Sequence, residues 1–367
     1  MHIVITSTSF CEYLIQQANG LAALGHSVLL VIPAPLPKDT VGVDFARFLA
    51  PTIQYFTYNV TGKWRLGFYL ELFHAVSVFS PDVLHIHENG EIETFALISR
   101  FHRIPLVVTI HDVTTHPGAD FQIKLRRRLI KKLLRRRTDL IHLHGEKLRE
   151  KLKESHPKLA CKSAVIPHGA LSLFKQWENE PVEREPLTCL FFGRMEKYRG
   201  LDNLLKIGTM LKESLPGIRI VAAGRGSELE KYKAKMAALG IFEIHDTFIP
   251  NKDVHRFFGR ASLLLLPYHE ASQSGVVSMA LPFGLPVVAT DVGSIPETIT
   301  DGQHGRIVPV GDLDGFAGAV RKLLSDEDLR RQMGTACLQL GESLSFARLA
   351  GEFDSLYTHA IEMRRRT

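Results

Sequence analysis

A chain of 367 residues, 45% hydrophobic and 23% charged, is too long for one compact core and has the composition of a globular protein of two ordinary domains. No apolar run approaches the roughly 18 residues of a membrane span, and Cys11, Cys161, Cys189 and Cys337 lack metal-type or redox-type spacing, as expected of reduced cytoplasmic thiols. The net charge of +6 is local: nine of the 45 Lys and Arg residues fall within 124–137, and the other 36 are outnumbered by 39 acidic residues, which describes a basic patch rather than a nucleic-acid-binding chain.

The opening MHIVITS lacks a basic leader and a long apolar core, so it reads as a first strand and not a signal peptide. A loop Ser7-Thr8-Ser9, a helix over 12–24 and a strand over 28–32 follow, a βαβ unit of doubly wound type. The serines of that loop either contact a phosphate or sugar or simply cap the helix. Residues 39–63 read as an irregular stretch with exposed Tyr55, Phe56 and Tyr58. In the strand over 82–87, His85 and His87 share one face, but no third ligand of matching context follows, and no metal is expected. The strand over 106–110 ends at His111-Asp112, where doubly wound sheets place ligands.

Residues 124–137 read as a helix with Leu125, Leu129, Ile130, Leu133 and Leu134 on one stripe. Arg126, Arg127, Arg128, Lys131, Lys132 and Arg135 cover the remainder. Such a helix is either a solvated face packed by its leucines or a peripheral anchor on an anionic membrane, which attracts each nearby cation by about 1 kcal/mol. No aromatic interleaving points to nucleic acid. A strand over 139–143 and the stretch 165–169 close a first domain, 1–171, and the polar, proline-punctuated stretch 172–186 reads as a linker.

A second domain is expected over 187–344. Its first strand runs into Gly193-Arg194-Met195-Glu196-Lys197-Tyr198-Arg199-Gly200 and a helix over 201–211. A strand over 219–223 meets Gly224-Arg225-Gly226, by itself a weak signal. Phe248-Ile249-Pro250-Asn251 precedes a helix over 253–259. The buried strand 263–266 leads through Pro267 to Tyr268, His269 and Glu270, and Ser272 to Gly275 open a short helix ending near Gly284. A strand, a loop carboxylate and a Ser-Gly helix start present backbone N–H groups to an anion, with Glu270 beside it for a hydroxyl-bearing group. A strand at 287–289 and a helix over 313–324 complete the domain, and a last helix over 345–363 follows.

The motifs at 193–200 and 270–297 resemble those of family-4 retaining glycosyltransferases (glycosyl transferases group 1). That family shows Gly-Arg, four residues, then Lys-Gly; a pair of glutamates eight positions apart; a Pro-Val-Val-Ala-Thr strand; and a Gly-x-x-Glu turn. Here Arg194 matches and Arg199 takes the lysine position, Glu270 is the first glutamate, Pro286 to Thr290 is the strand, and Gly293 to Glu297 is the turn. Ser278 stands where the second glutamate belongs, and one hydroxyl cannot accept from two ribose hydroxyls as a carboxylate does. The two glycines usual after the first strand are also missing.

The resemblance implies a GT-B fold, α/β, with two Rossmann-like doubly wound domains facing an interdomain cleft and residues 345–367 crossing back to the first. It implies transfer of a sugar from a UDP- or GDP-type nucleotide-sugar to a hydroxyl, without metal or other cofactor. Arg194 and Arg199 would balance the leaving diphosphate, with Ser274, Gly275 and Val276. Glu270 would bond sugar hydroxyls, His111 would lie near the reacting carbon, and Gly224, Ile249 and Ser278 would line the nucleotide. The basic helix suggests a lipid-linked saccharide acceptor at the inner membrane face, as in surface-polysaccharide biosynthesis. Two alternatives are a nucleotide-sugar 2-epimerase on the same fold and a non-catalytic partner of another glycosyltransferase.

Overall fold

The computed structural model describes residues 1–34, 45–59, 66–113, 125–177 and 182–366. The chain divides into two compact units, Met1–Gly169 with Ser345–Thr367, and Ala170–Leu344. The boundary therefore falls at 169/170 and not within a linker over 172–186. The reason is apolar: Leu173 and Phe174 lie on a short 3-10 helix, Ser172–Trp177, and are buried in the second unit.

The first unit contains strands β1 (His2–Thr6), β2 (Ser27–Ala34), β3 (Gln54–Asn59), β4 (Val83–His87), β5 (Leu106–Thr109), β6 (Leu140–Leu143) and β7 (Ser163–Val165). Its helices are α1 (Cys11–Ala23), α2 (Leu66–Phe79), α3 (Ile92–Arg100), α4 (Leu125–Arg137), α5 (Glu146–Ser155) and α6 (Pro157–Ala160). The strands form one parallel sheet in the order β3-β2-β1-β4-β5-β6-β7. β4, β5 and β6 are buried at every position, as strands covered on both faces are, and β4 and β6 carry histidines among their apolar residues. Val4, Ile86, Val108 and Ile141 meet Leu134 of α4 in the core.

The second unit repeats the plan with β8 (Thr188–Phe192), β9 (Arg219–Ala223), β10 (Phe242–His245), β11 (Leu263–Leu266), β12 (Val287–Thr290) and β13 (Gly305–Val308). Its helices are α7 (Leu201–Ser214), α8 (Leu229–Leu239), α9 (Asn251–Arg260), α10 (Gly275–Ala280), α11 (Ile295–Thr298), α12 (Leu313–Ser325) and α13 (Glu327–Ser343). The sheet order is β10-β9-β8-β11-β12-β13, again parallel. The last helix, α14 (Phe346–Arg365), belongs to the first unit and packs on α1.

One expectation is overturned within 39–63. Residues 54–59 form β3, paired in parallel with β2, because Tyr, Phe and Thr favour a pleated, half-buried surface. Tyr58 is buried and donates to Glu93 Oε1 at 3.2 Å, whereas Tyr55 is 49% exposed; residues 39–44 and 60–63 lie outside the described residues. Each sheet reverses its strand order once, at β1/β4 in the first unit and at β8/β11 in the second. Those reversals are the points where open parallel sheets bind ligands.

Candidate functional site

In the second unit the loops at the β8/β11 reversal are locked together. His269 and Glu270 both donate their backbone N–H to Tyr198 O, at 2.8 and 3.3 Å. Asn203 Nδ2 donates to Pro267 O at 3.1 Å, and His269 Nε2 lies 2.7 Å from Asp202 Oδ1. The turn after β9 joins them: Gly224 takes a φ of 144°, and Met195 N donates to Arg225 O at 2.9 Å. Arg225 also sits over the Phe248 ring at 5.5 Å. From the other side, Ser294 N donates to Ser272 O at 3.0 Å.

Arg199 stands at the centre of this arrangement. Its Nη1 donates to Phe192 O at 3.1 Å and to Tyr268 Oη at 2.8 Å, and its Nε donates to Tyr198 Oη at 3.3 Å. The guanidinium carbon lies 5.2 Å from the Tyr268 ring centre. Burial opposes the charge, but the two tyrosine oxygens and Glu196 raise the pKa above the ordinary arginine value. Among the described residues no carboxylate lies within ion-pair distance of Arg199. A held, unneutralised cation at a ligand-binding edge is suited to an anion. Arg194 is exposed, as is Lys197.

The structure brings Arg199, Glu270, Gly224 and the 272–276 segment to one edge of the sheet. Ile249 lies just before α9 and is 7% exposed. Ser278 is different: on α10 it is 2% exposed, and its carbonyl accepts from Leu171 N at 2.9 Å. Sequence reasoning missed Tyr268 and Tyr198 because nothing in a loop tyrosine distinguishes a guanidinium support from a core residue.

At the β1/β4 reversal of the first unit lies a cluster of imidazoles. His85 and His87 at the end of β4, His111 after β5, and His142 and His144 at the end of β6 are all less than 8% exposed. His87 Nδ1 is 3.0 Å from His111 Nε2, and His111 Nδ1 is 3.2 Å from His144 Nε2. Both ring nitrogens of His111 are therefore engaged by other imidazoles. Its face is stacked 4.2 Å from Phe10, a 47% exposed residue in the left-handed conformation, φ 61°. Phe10 thus adopts the backbone that a glycine would adopt without strain in this loop. The missed signal was in the sequence: His142 and His144 repeat the two-residue spacing of His85 and His87.

Burial holds every one of these imidazoles below its ordinary pKa, His142 at about 4 after partial compensation by the Ile166 carbonyl. In the unfolded chain they take up protons below about pH 6.5, so the unfolded state binds more protons across the window below that value. Stability is therefore complete above pH 6.5 and falls as pH drops toward 4, by at least about 1.4 kcal/mol per pH unit. A urea midpoint clearly lower at pH 5.0 than at 7.5 is expected; equal midpoints would mean the imidazoles titrate as in a free peptide.

Helix α4 divides its cations between two surroundings. Arg127 pairs with Glu91 at 2.6 Å and Arg126 with the same carboxylate at 3.7 Å. Lys131 lies 3.3 Å from Glu88, and Arg135 Nη2 donates to Glu88 Oε2 at 2.9 Å. These four are ion-paired to the protein, Arg135 largely covered and Arg127 still about half exposed, so the set is not the uniformly membrane-facing one expected from sequence. The stripe is corrected too: Ile130 and Leu134 are buried, while Leu125 and Leu129 are 83% and 55% exposed. With Arg128, Lys132 and Arg136, also exposed, these leucines share one helical face.

Two family descriptions match, "Glycosyltransferase Family 4" over residues 12–170 and "Glycosyl transferases group 1" over 174–338. The chain belongs to the family-4 type of glycosyltransferases. It is 25% identical to D-inositol 3-phosphate glycosyltransferase of Corynebacterium aurimucosum, across 96% of this chain and 91% of that protein. It is 22% identical to glycogen synthase of Mycobacterium tuberculosis, across 92% and 85%. Among solved structures, sucrose-phosphate synthase from Thermosynechococcus elongatus superimposes with a TM-score of 0.70 at 16% identity, covering 97% of this chain and 98% of that one. The pneumococcal O-GlcNAc transferase GtfA, solved with UDP and GlcNAc, gives 0.69 at 12% identity, covering 98% of each. The fold of this glycosyltransferase is thus GT-B, built from two Rossmann-like units.

Proposed function

We propose that this glycosyltransferase moves a sugar from a UDP- or GDP-type donor to a hydroxyl acceptor, with retained anomeric configuration and no metal requirement. The observation that carries the reading is Arg199, held by hydroxyls and a carbonyl at the β8/β11 reversal with no carboxylate counter-ion among the described residues. A cation fixed before the reaction stabilises the charge that develops on the departing diphosphate at no reorganisation cost. Arg194 adds a second charge, the N–H groups of Ser274 to Val276 face the phosphates, and Glu270 bonds sugar hydroxyls. Gly224 and Ile249 flank the nucleotide. The β1/β4 edge of the first unit serves the acceptor side, and His111, its nitrogens held by His87 and His144, shapes that edge without itself bonding a sugar hydroxyl.

The test is thermal stabilisation by a panel of UDP, GDP, ADP, TDP and their sugars, with Arg194→Ala beside the native chain. One nucleotide should stabilise, by mass action, and the variant should lose the effect. Transfer should then require an acceptor, persist in EDTA and give a product of unchanged anomeric configuration. Sugar isomerised without acceptor would establish the 2-epimerase instead, and binding without turnover the non-catalytic partner.

The exposed face of α4 favours a second element, an anionic membrane surface that presents a lipid-linked saccharide in surface-polysaccharide assembly. Two exposed leucines among Lys132, Arg128 and Arg136 match an interfacial helix. No described helix is long and apolar enough to cross a membrane. Vesicles with anionic lipid should co-sediment the protein, and Leu125→Asp with Leu129→Asp should reduce binding about tenfold or more. Arg127→Ala, which removes a partner of Glu91, should change it less than twofold. Equal binding to neutral vesicles would overturn the membrane reading.

A further inference from the structure

The hydrogen bonds of the imidazole cluster run in one direction, and a single backbone carbonyl fixes it. Ile166 O can only accept, so His142 Nε2, 3.0 Å away, carries a proton. The neutral ring then has an unprotonated Nδ1, which accepts from Thr109 Oγ1 at 2.8 Å. That hydroxyl, its proton committed, accepts from His85 Nε2 at 2.7 Å. His85 Nδ1 is left as an acceptor and receives Tyr357 Oη at 2.7 Å and Gln17 Nε2 at 3.3 Å. The orientation of the Gln17 amide is thereby set. Its carbonyl oxygen lies 3.2 Å from His87 Nε2, which must donate. His87 Nδ1 then accepts from His111 Nε2, and His111 Nδ1 accepts from His144 Nε2. The series ends at His144 Nδ1, a buried atom with no hydrogen-bond partner among the described residues.

We propose that His144 and His87 are positioning residues for His111. Together they hold it as the neutral Nε2–H tautomer, and His144 Nδ1 is the one port through which a proton can reverse it. The inference rests on the reading above that the His111 edge serves the transfer reaction. Every other acceptor nitrogen in the series already has its lone pair engaged, so an added proton bonds at His144 Nδ1. The N–H bonds at His144 Nε2 and His111 Nε2 can then break as new ones form at His111 Nδ1 and His87 Nδ1. One proton enters, two tautomers reverse, and the charge stops at His87, because the Gln17 carbonyl oxygen is too weak a base to pass it on.

The groups facing His144 make this entry an acid event. Tyr13 of α1 lies 5.6 Å away ring to ring, His111 4.9 Å, His142 4.6 Å and His168, after β7, 4.9 Å. His87 adds to the opposition, and no carboxylate contributes to the shift of His144. Burial and neighbouring imidazoles keep the ring neutral, while Asp112, beside His111, favours a positive charge there.

The experiment is long-range 1H–15N spectroscopy of the full chain with 15N-labelled histidine, assigned with single variants. At pH 7.5 His85, His87, His111, His142 and His144 should all show protonated Nε2 and unprotonated Nδ1. On acidification within the folded range, the Nδ1 signals of His144 and His111 should move together with one shared midpoint. A Nδ1–H tautomer at His111 at pH 7.5, or protonation of His111 independent of His144, would overturn the inference.

Activity supplies the second arm. His144→Ala removes the donor to His111 and should lower kcat about tenfold with little change in KM. His144→Gln replaces the Nε2–H donor without a basic nitrogen; it should restore most of kcat and move the acid limb of the pH profile downward. Equal loss in both variants, with an unmoved acid limb, would reduce His144 to a packing residue. If no donor is turned over at all, the spectra still decide the tautomers, so failure of the transferase reading and failure of this one stay distinguishable.

Discussion

Arg199→Ala will lower kcat for sugar transfer by about 10²–10³-fold, the loss typical when a preorganised donor to developing negative charge is removed. The guanidinium is fixed by Phe192 O, Tyr268 Oη and Tyr198 Oη, so it meets the leaving diphosphate already oriented. Alanine leaves a water-filled gap in which solvent must reorganise during the reaction. Arg199→Lys should recover only part of the rate, since a single ammonium cannot satisfy the carbonyl and the tyrosine and still face a phosphate. The KM for the donor should rise less than kcat falls, because the charge is larger in the transition state than in the ground state. A donor KM that rises by the whole factor, with kcat unchanged, would assign Arg199 to ground-state binding alone.

Gly224→Ala will destabilise the second unit by about 2–5 kcal/mol, the sum of a backbone penalty at positive φ and overpacking against a rigid neighbour. Gly224 has φ 144°, and a Cβ there would stand 1.8 Å from Gly193 O. The obstacle is backbone, so no side chain can rotate away; the turn after β9 and the loop after β8 must separate. That is a thermal midpoint lower by roughly 10 °C for a unit of this size. Nucleotide binding should also weaken, because the displaced loop carries Arg194 and Arg199. Gly240→Ala is the control: φ is 73° but a Cβ meets nothing within 4 Å. It should cost only about 1–2 kcal/mol, and an equal drop in both variants would rule out the steric argument.

The site of the second unit was more legible than that of the first. Arg194, Arg199 and Glu270 stand on short loops after buried strands, and short loops at sheet ends leave little freedom in where a side chain goes. Position did not disclose role in every case. Ser278 has the ribose spacing, yet on α10 it is 2% exposed. In the first unit His111 was legible as a strand-end residue, while its partners were not. His85 and His87 announced themselves by spacing, but Gln17, Thr109 and Tyr357 sit 68, 24 and 272 positions from His85. No local pattern links residues so separated. The cations of α4 likewise looked alike in sequence, and Glu88 and Glu91, at the end of β4 and the start of α3, are what give Arg126, Arg127, Lys131 and Arg135 their ion pairs.

The sequence by itself determined the two-unit α/β architecture, because buried parallel strands must be apolar on both faces and the helices between them must carry one apolar stripe. It also determined which loops hold cations and a carboxylate, since those are local and short. The tertiary structure alone decided which of those groups are already neutralised. Arg199 keeps its charge available because the loop after β11 brings a tyrosine beside it and, among the described residues, no carboxylate within ion-pair distance. His111 loses its free nitrogens because adjacent strands in the sheet, β4, β5 and β6, bring three histidine-bearing ends together. Hydrogen bonding and ion pairing act over about 3 Å, and sheet order, not chain order, decides what lies within that distance.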